Sequence, residues 1–271
     1  MTMKPAPLLS IVTITRQNRD GLAMTAQSIA TQTRGDFEWI VIDGASNDGT
    51  AQLLERGSPK PDIFLSEPDQ GIYDAMNKGL MRANGTYTLF LNAGDRLAST
   101  ETLAQIYADL SSHCPDFLYG DSFEQSHDGK RQIKPARSYT KAALGLFTHH
   151  QAMIYKTEIL KQLRYNTDYK IAADYDLTLQ FLKKAQNIYY TPTPVCVFIS
   201  GGLSQTMAHK GRMEQFVIRH KLKTVPFWQN ILIYTAQYLN WYFRKLIPGV
   251  YWFLKQSARS GDNTNNGSAP T

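Results

Sequence analysis

The N-terminal third of this 271-residue chain predicts an α/β fold, a Rossmann-like and mostly parallel sheet flanked by helices. Two observations carry that expectation. Short continuous apolar runs, LLSIVTIT, EWIVID, DIFLSE and YTLFLN, alternate with stretches of helical spacing that begin after Asp20, Thr50 and Gly71. Continuous rather than alternating apolar strands belong to parallel sheets covered on both faces.

After Leu97 the pattern changes to a mixed α+β half. A capped helix is expected from about Ser99, a strand around DFLYGD, and a basic hairpin in EQSHDGKRQIK that turns at Asp128 and Gly129. THHQAMIY leads into another strand, DYDLTLQFLKK is helical, and YYTPTPVCVFIS is a strand. From residue 205 to 256 the chain reads as helical and aromatic, with Trp228, Tyr234, Tyr238, Trp241, Tyr242 and Phe243 interleaved with polar residues. That spacing makes an amphipathic helix and not a spanning one. The tail at 257–271 is polar and glycine-rich, and disorder is expected for it.

The net charge of +6 and the pI near 9.1 suit an anionic small substrate, a nucleic acid or an acidic membrane surface. Nucleic acid fits least, because the positive charges are dispersed and no recognition motif occurs. Cys114 and Cys196 stand far apart, with no CxxC and no zinc-type histidine spacing, as in a protein of a reducing cytoplasm. The first apolar run is too short for a signal segment and is read as a strand.

In doubly wound sheets the ligand sits beyond the carboxyl ends of the strands. Four consecutive ends are polar: Thr13 and Thr15; Asp43; Glu67 and Asp69; and Asn92, Ala93, Gly94 and Asp95. VIDGASNDGT resembles a phosphate loop in its glycines, but Thr50 and Ala51 stand where that motif needs Lys and then Ser or Thr. Its carboxylates would repel phosphate. Asp95 follows a buried strand and a glycine, where a carboxylate can hold Mg²⁺ or Mn²⁺ beside a diphosphate or, alternatively, cap the next turn.

LLSIVTITRQNR, VIDGASNDGT, SEPDQGIYDAMNKGL and LFLNAGD, in this order, resemble the nucleotide-sugar-binding half of family 2 inverting glycosyltransferases with the GT-A fold. Within that family the likeness is closest to enzymes of colanic-acid-type exopolysaccharide assembly. It covers residues 8–204, divided into a donor half at 8–97 and an acceptor and catalytic half at 98–204, with 205–256 as a helical extension.

The resemblance implies that Thr13, Thr15 and Arg16 line the base and ribose pocket, with Asp43 accepting from base or ribose. Glu67 and Asn92 to Gly94 fall on the donor side, and Lys78 points to the diphosphate or is a solvated helix lysine. Asp95 is the metal ligand of a DxD-type element. Asp174 matches the base of the family's ED motif, with Asp176 as fallback. His150 and Gln151 match an HQ pair near the sugar, and Gly202 belongs to a GGxS closing loop. Three departures stand out: Gly44 replaces a second turn Asp, NAGD stands where many relatives have DADD and leaves Asp95 as its single acidic group, and Ala173 replaces the Glu of ED.

The function implied is transfer of a sugar from a UDP- or GDP-sugar to a glycan or lipid-linked acceptor. The alternative is a non-catalytic nucleotide-sugar or glycan-binding protein on the same scaffold. The protein is expected in the cytoplasm. Its aromatic helix either lies peripherally on the inner face of the plasma membrane or packs on the catalytic domain or a second subunit.

Overall fold

A computed structural model of the chain describes residues 6–57, 59–126, 128–199 and 206–246. The expected disordered tail and Gly202 lie outside the described residues. The four N-terminal runs form β1 (Leu9–Thr15), β2 (Glu38–Asp43), β3 (Ile63–Ser66) and β4 (Tyr87–Phe90). Between them lie α1 (Arg19–Ala30), α2 (Thr50–Arg56) and α3 (Ile72–Arg82). The strands pair in parallel in the order β3-β2-β1-β4, with Thr15 opposite Asp43 and Asp43 opposite Ser66. Strand ends are thereby aligned, and their polar residues converge on one edge of the sheet.

β1, β2 and β4 are buried along their whole length, as continuous apolar runs require. β3 instead alternates between half-buried and exposed residues, because it is the sheet's edge strand. On one face Leu9, Ile11, Trp39, Val41 and Leu89 pack against Leu22 and Ile29 of α1. α4 (Thr102–His113) adds Leu103, Ile106 and Leu110 to the same cluster. α3 covers the opposite face, and Gly79 sets its distance. A Cβ there would lie 2.4 Å from Val12 Cγ1.

The second half adds β5 (Arg96–Leu97), β6 (Phe117–Gln125), β7 (Arg131–Lys134), β8 (Met153–Lys156) and β9 (Ile188–Ile199), with α5 (Thr157–Leu163) and α6 (Ala173–Lys184). It extends the sheet as β4-β8-β6-β9-β5, with β7 beside β6. Pairing here is mixed: β8 is antiparallel to β4 and β6, whereas β9 is parallel to β6. Pro192 and Pro194 in β9 fall where the β6 register shifts at Gly120 and Asp121, since proline cannot donate to a regular ladder. The β6–β7 hairpin turns as expected, with Gly129 at φ +82°.

Two compact units divide the chain, Met1–Ile218 and Arg219–Thr271. The first takes in most of α7 (Ala208–Lys221). The second contains α8 (Phe227–Leu246). Within it the buried Arg219 donates from Nε to Asn230 Oδ1 at 2.6 Å.

Candidate active site

Asp43 closes the VIDGASNDGT turn. Its carboxylate accepts the Ser46 N–H at 3.0 Å, the Ser46 hydroxyl, and the Ser66 hydroxyl at 2.6 Å. Only 1% of the residue is exposed, so those three bonds tie the turn to β3. Asp48 does what a helix-capping carboxylate does, accepting the Thr50 N–H at 3.1 Å, and it also accepts the Arg19 N–H at 2.9 Å.

Gly44 has a steric cause. A Cβ at this position would lie 2.2 Å from Asp69 Oδ2, so the Asp69 carboxylate fills the space that a side chain at 44 would take. Asp69 in turn accepts the Gly71 N–H at 2.9 Å and faces Arg16 across 3.6 Å. Arg16 and Asp69, from β1 and β3 ends, thus meet over the turn.

The other donor-side residues divide into two groups. Thr13 is fully buried on the α1 face and its hydroxyl accepts the Trp39 indole N–H at 3.1 Å, which takes it into the core. Lys78 is held by Glu67 at 2.9 Å, Asp74 at 3.3 Å and the Pro68 carbonyl at 2.8 Å, so Lys78 and Glu67 spend their charges on each other. Thr15 Oγ1 and Asn92 Oδ1, in contrast, are buried and have no hydrogen-bond partner within the protein. Orphaned polar atoms at neighbouring strand ends are where a ligand's polar groups find partners.

The NAGD turn is fastened from α1. Asn18 donates to the Ala93 carbonyl at 3.0 Å, and Thr25 accepts the Gly94 N–H at 3.0 Å while donating to the Asp95 carbonyl at 2.7 Å. Gly94 is required by its φ of +106°. Asp95 is buried, with 7% of its surface exposed, and accepts the Gln151 amide at 2.8 Å. Burial, only partly offset by that amide, pushes its carboxyl up to about 7.

His150 and Gln151 form a short 3₁₀ turn, His150–Ala152, and face opposite ways. Gln151 holds Asp95. His150 is buried at 2.7 Å from the Tyr165 hydroxyl and packs on Phe90. Burial lowers its ring to about 4, so it is neutral where it shares a hydrogen bond with the tyrosine. Tyr165 stacks on Tyr73 at 5.5 Å, and the Tyr73 hydroxyl lies 3.4 Å from Asp174 Oδ1. Two separate contacts thus leave this turn: Gln151 bonds to Asp95, and His150 bonds to Tyr165, whose ring stacks on Tyr73 beside Asp174.

Asp174 is the second residue of α6 and is partly exposed. Its Oδ1 accepts the Tyr175 N–H at 2.8 Å. Desolvation pushes its carboxyl up to about 6, against the pull of that N–H and of Tyr73. Asp176, the fallback, is buried and accepts the Gln180 amide at 2.9 Å on its own helix.

Residues 10–187 match the sequence profile of Glycosyl transferase family 2, most of the first compact unit. The chain belongs to that family. A relative named PGL/p-HBAD biosynthesis glycosyltransferase, from Mycobacterium tuberculosis, is 33% identical over 224 residues, covering 80% of this chain and 87% of its own. Among solved structures, S. aureus TarS 1-349 in complex with UDP-GlcNAc superposes with a TM-score of 0.66 at 20% identity, over 88% of this chain and 74% of that one. The mannosyltransferase PcManGT from Pyrobaculum calidifontis, in complex with GDP-Man and Mn²⁺, gives 0.64 at 18% identity over 97% and 76%. Both establish the GT-A fold for this glycosyltransferase.

Sequence reading missed one polar group at the β6–β7 hairpin. Lys134, at the end of the β7 hairpin, donates to His149 Nε2 at 2.9 Å, and His149 Nδ1–H is thereby left to donate to Ser122 Oγ at 2.9 Å. Burial and the Lys134 charge hold the His149 ring down to about 3. Burial first, and then the Asp95 charge, push the Cys196 thiol well up, with Lys134 pulling the other way. The only available signal was the basic KRQIK arm of the expected hairpin, whose sequence does not say that Lys134 meets His149.

Proposed function

We propose that this glycosyltransferase moves a sugar, with inversion, from a UDP- or GDP-sugar to a glycan or lipid-linked acceptor in bacterial cell-surface polysaccharide synthesis, colanic-acid-type exopolysaccharide included. The carrying observation is that the two carboxyls pushed up by burial, Asp95 and Asp174, are served by adjacent residues of one turn, Gln151 bonding to Asp95 and His150 bonding to Tyr165, which stacks on the Tyr73 that faces Asp174. Asp174 takes the proton of the acceptor hydroxyl as its oxygen attacks the anomeric carbon. The bond from that carbon to the diphosphate breaks on the opposite face. One base carboxylate suffices for such a displacement. Thr15, Arg16, Asp69 and Asn92 receive the nucleotide, and Asp43 shapes their turn.

The residues present fit a divalent cation. Asp95 offers a buried carboxylate that accepts the Gln151 amide and a backbone bond from Ile199, and Asn92 in the same turn offers an unpartnered oxygen. Among the described residues no three His, Cys, Asp or Glu side chains gather to hold a metal, so the remaining ligands come from diphosphate and water. Mg²⁺ or Mn²⁺ bound there would neutralise charge on the departing diphosphate.

Titration calorimetry with UDP and with GDP, each in Mn²⁺ and in EDTA, tests the reading. One nucleotide is expected to bind in Mn²⁺ only, and its sugar conjugates to be slowly hydrolysed. No binding of either in Mn²⁺ would overturn it.

In this reading the protein works in the cytoplasm, at the inner face of the plasma membrane. Among the described residues no helix is long and apolar enough to cross a membrane. α8 nonetheless exposes Trp228, Ile231, Leu232, Leu239, Tyr242 and Leu246, and residues 215–261 contain no Asp or Glu. An apolar stripe on an exclusively basic segment suits an anionic bilayer surface. The double change Leu232→Glu and Leu239→Glu should abolish co-sedimentation with vesicles containing phosphatidylglycerol. A wild-type dimer that ignores such vesicles would assign the stripe to a second copy.

A further inference from the structure

α6 starts without a side-chain cap: its N-cap residue is Ala172, and Ala173 stands where an acidic residue precedes Asp174 in the likeness above. Three consecutive backbone N–H groups ahead of the helix nevertheless end on one carboxylate. Glu214 of α7 accepts Lys170 N–H through Oε1 at 3.0 Å, and Ile171 and Ala172 N–H through Oε2 at 2.9 and 2.8 Å. In a capping box, a Glu in the helix's own first turn reaches back to the N-cap N–H. Here another helix supplies it, from forty residues downstream in sequence. Gly211, one turn before Glu214, permits the approach, since a Cβ there would lie 3.0 Å from Ile171 Cγ2.

The segment is also held from the other side. The Ile171 carbonyl accepts the Tyr73 hydroxyl at 2.7 Å, the same hydroxyl that faces Asp174. Glu214 and Tyr73 thus grip the residues immediately before Asp174 by N–H and by C=O.

We propose that Glu214 is the positioning residue of Asp174, supplying from α7 the capping side chain that the start of α6 lacks. The inference rests on Asp174 being the base. Glu214 also acts through its charge. The titratable groups around Asp174 are Tyr73 from α3, Tyr155 from β8, Tyr165 after α5, Asp176 on its own helix and Glu214, and the Glu214 anion disfavours ionisation of Asp174. A purely structural clamp would not move the base's titration; an anion does.

The test is donor hydrolysis by the full chain, using UDP-GlcNAc and GDP-mannose with Mn²⁺ as probes, across pH 5 to 8. Glu214→Gln removes the anion and turns an amide N–H₂ toward three donors. A fall in kcat of roughly 10- to 100-fold is expected. Donor KM is expected to stay within about twofold, with the acidic limb of the pH profile moved to lower pH. Glu214→Asp keeps the charge and shortens the reach, so kcat should fall with the limb unmoved; it also serves where the Gln variant folds poorly. Wild-type kcat and an unmoved limb in Glu214→Gln would overturn the proposal. Asp174→Asn, run alongside, keeps the two readings apart: hydrolysis surviving there sinks the base assignment, whereas its loss with intact Glu214 variants sinks this inference alone.

Discussion

Asp174→Asn is expected to reduce sugar transfer by roughly 10³-fold, within the range a general base contributes, while nucleoside diphosphate affinity in Mn²⁺ stays within about twofold of wild type. The substitution is nearly isosteric and leaves an oxygen to accept the Tyr175 N–H, so the first turn of α6 survives. What it removes is the proton acceptor. Only ionised Asp174 can take a proton, and burial has raised its carboxyl to about 6. The rate constant kcat/KM should therefore climb with pH through about 6 in the wild type, and that limb should vanish in the variant. Asp176→Asn is the control. Asp176 is spent on Gln180 within its own helix, so its loss should affect stability more than turnover. An inactive Asp176→Asn beside an active Asp174→Asn would exchange their roles.

The parallel half of the fold was legible because burial on both faces writes itself as unbroken apolar runs. β3 shows the limit of that signal: its run is as apolar as the others, yet an edge strand has one side uncovered, and Phe64 is exposed. β5 is two residues long, too short for any period, and exists only because β9 runs beside it. The site was legible to the same depth. Strand ends pointed to Thr15, Asn92 and Asp95, whose polar atoms the structure leaves buried around the NAGD turn.

Periodicity records the face on which a side chain sits but not which distant group claims its polar atom. Thr13 and Thr15 both look like strand-end threonines; Trp39, on the neighbouring strand, takes the hydroxyl of the first and leaves the second free. Asp69 in the space beside Gly44, Gln151 on Asp95 and Glu214 ahead of α6 are contacts of the same kind. Each joins residues far apart in sequence. The glycine at 44 and the alanine at 173 looked like losses of acidic groups, and in space a carboxylate from another element stands beside each position.

Asp95→Asn should separate stability from activity. Buried, and without a cation, the Asp95 carboxyl titrates near 7 in the folded chain against 3.8 for its ordinary value. A raised acid binds its proton more tightly when folded, so its contribution favours folding at low pH and is lost as pH rises from about 4 to about 7. The shift corresponds to a penalty on the order of 4 kcal/mol above neutrality in metal-free protein. Asn is neutral at every pH and its oxygen still accepts the Gln151 amide. Metal-free Asp95→Asn is thus expected to melt above the wild type at pH 8, with the gap narrowing as pH falls and closing near pH 4. Mn²⁺ reverses the order, because a cation bound to the carboxylate stabilises only the wild type, by mass action. The Mn²⁺-induced rise in Tm should then be larger at pH 8 than at pH 5.5 in the wild type and absent from the variant. Transfer should fall by roughly 10³-fold, the scale of losing one preorganised electrostatic partner of the leaving group. A variant that is both inactive and less stable than metal-free wild type at pH 8 would mean that Asp95 is held by an internal partner rather than kept for a cation.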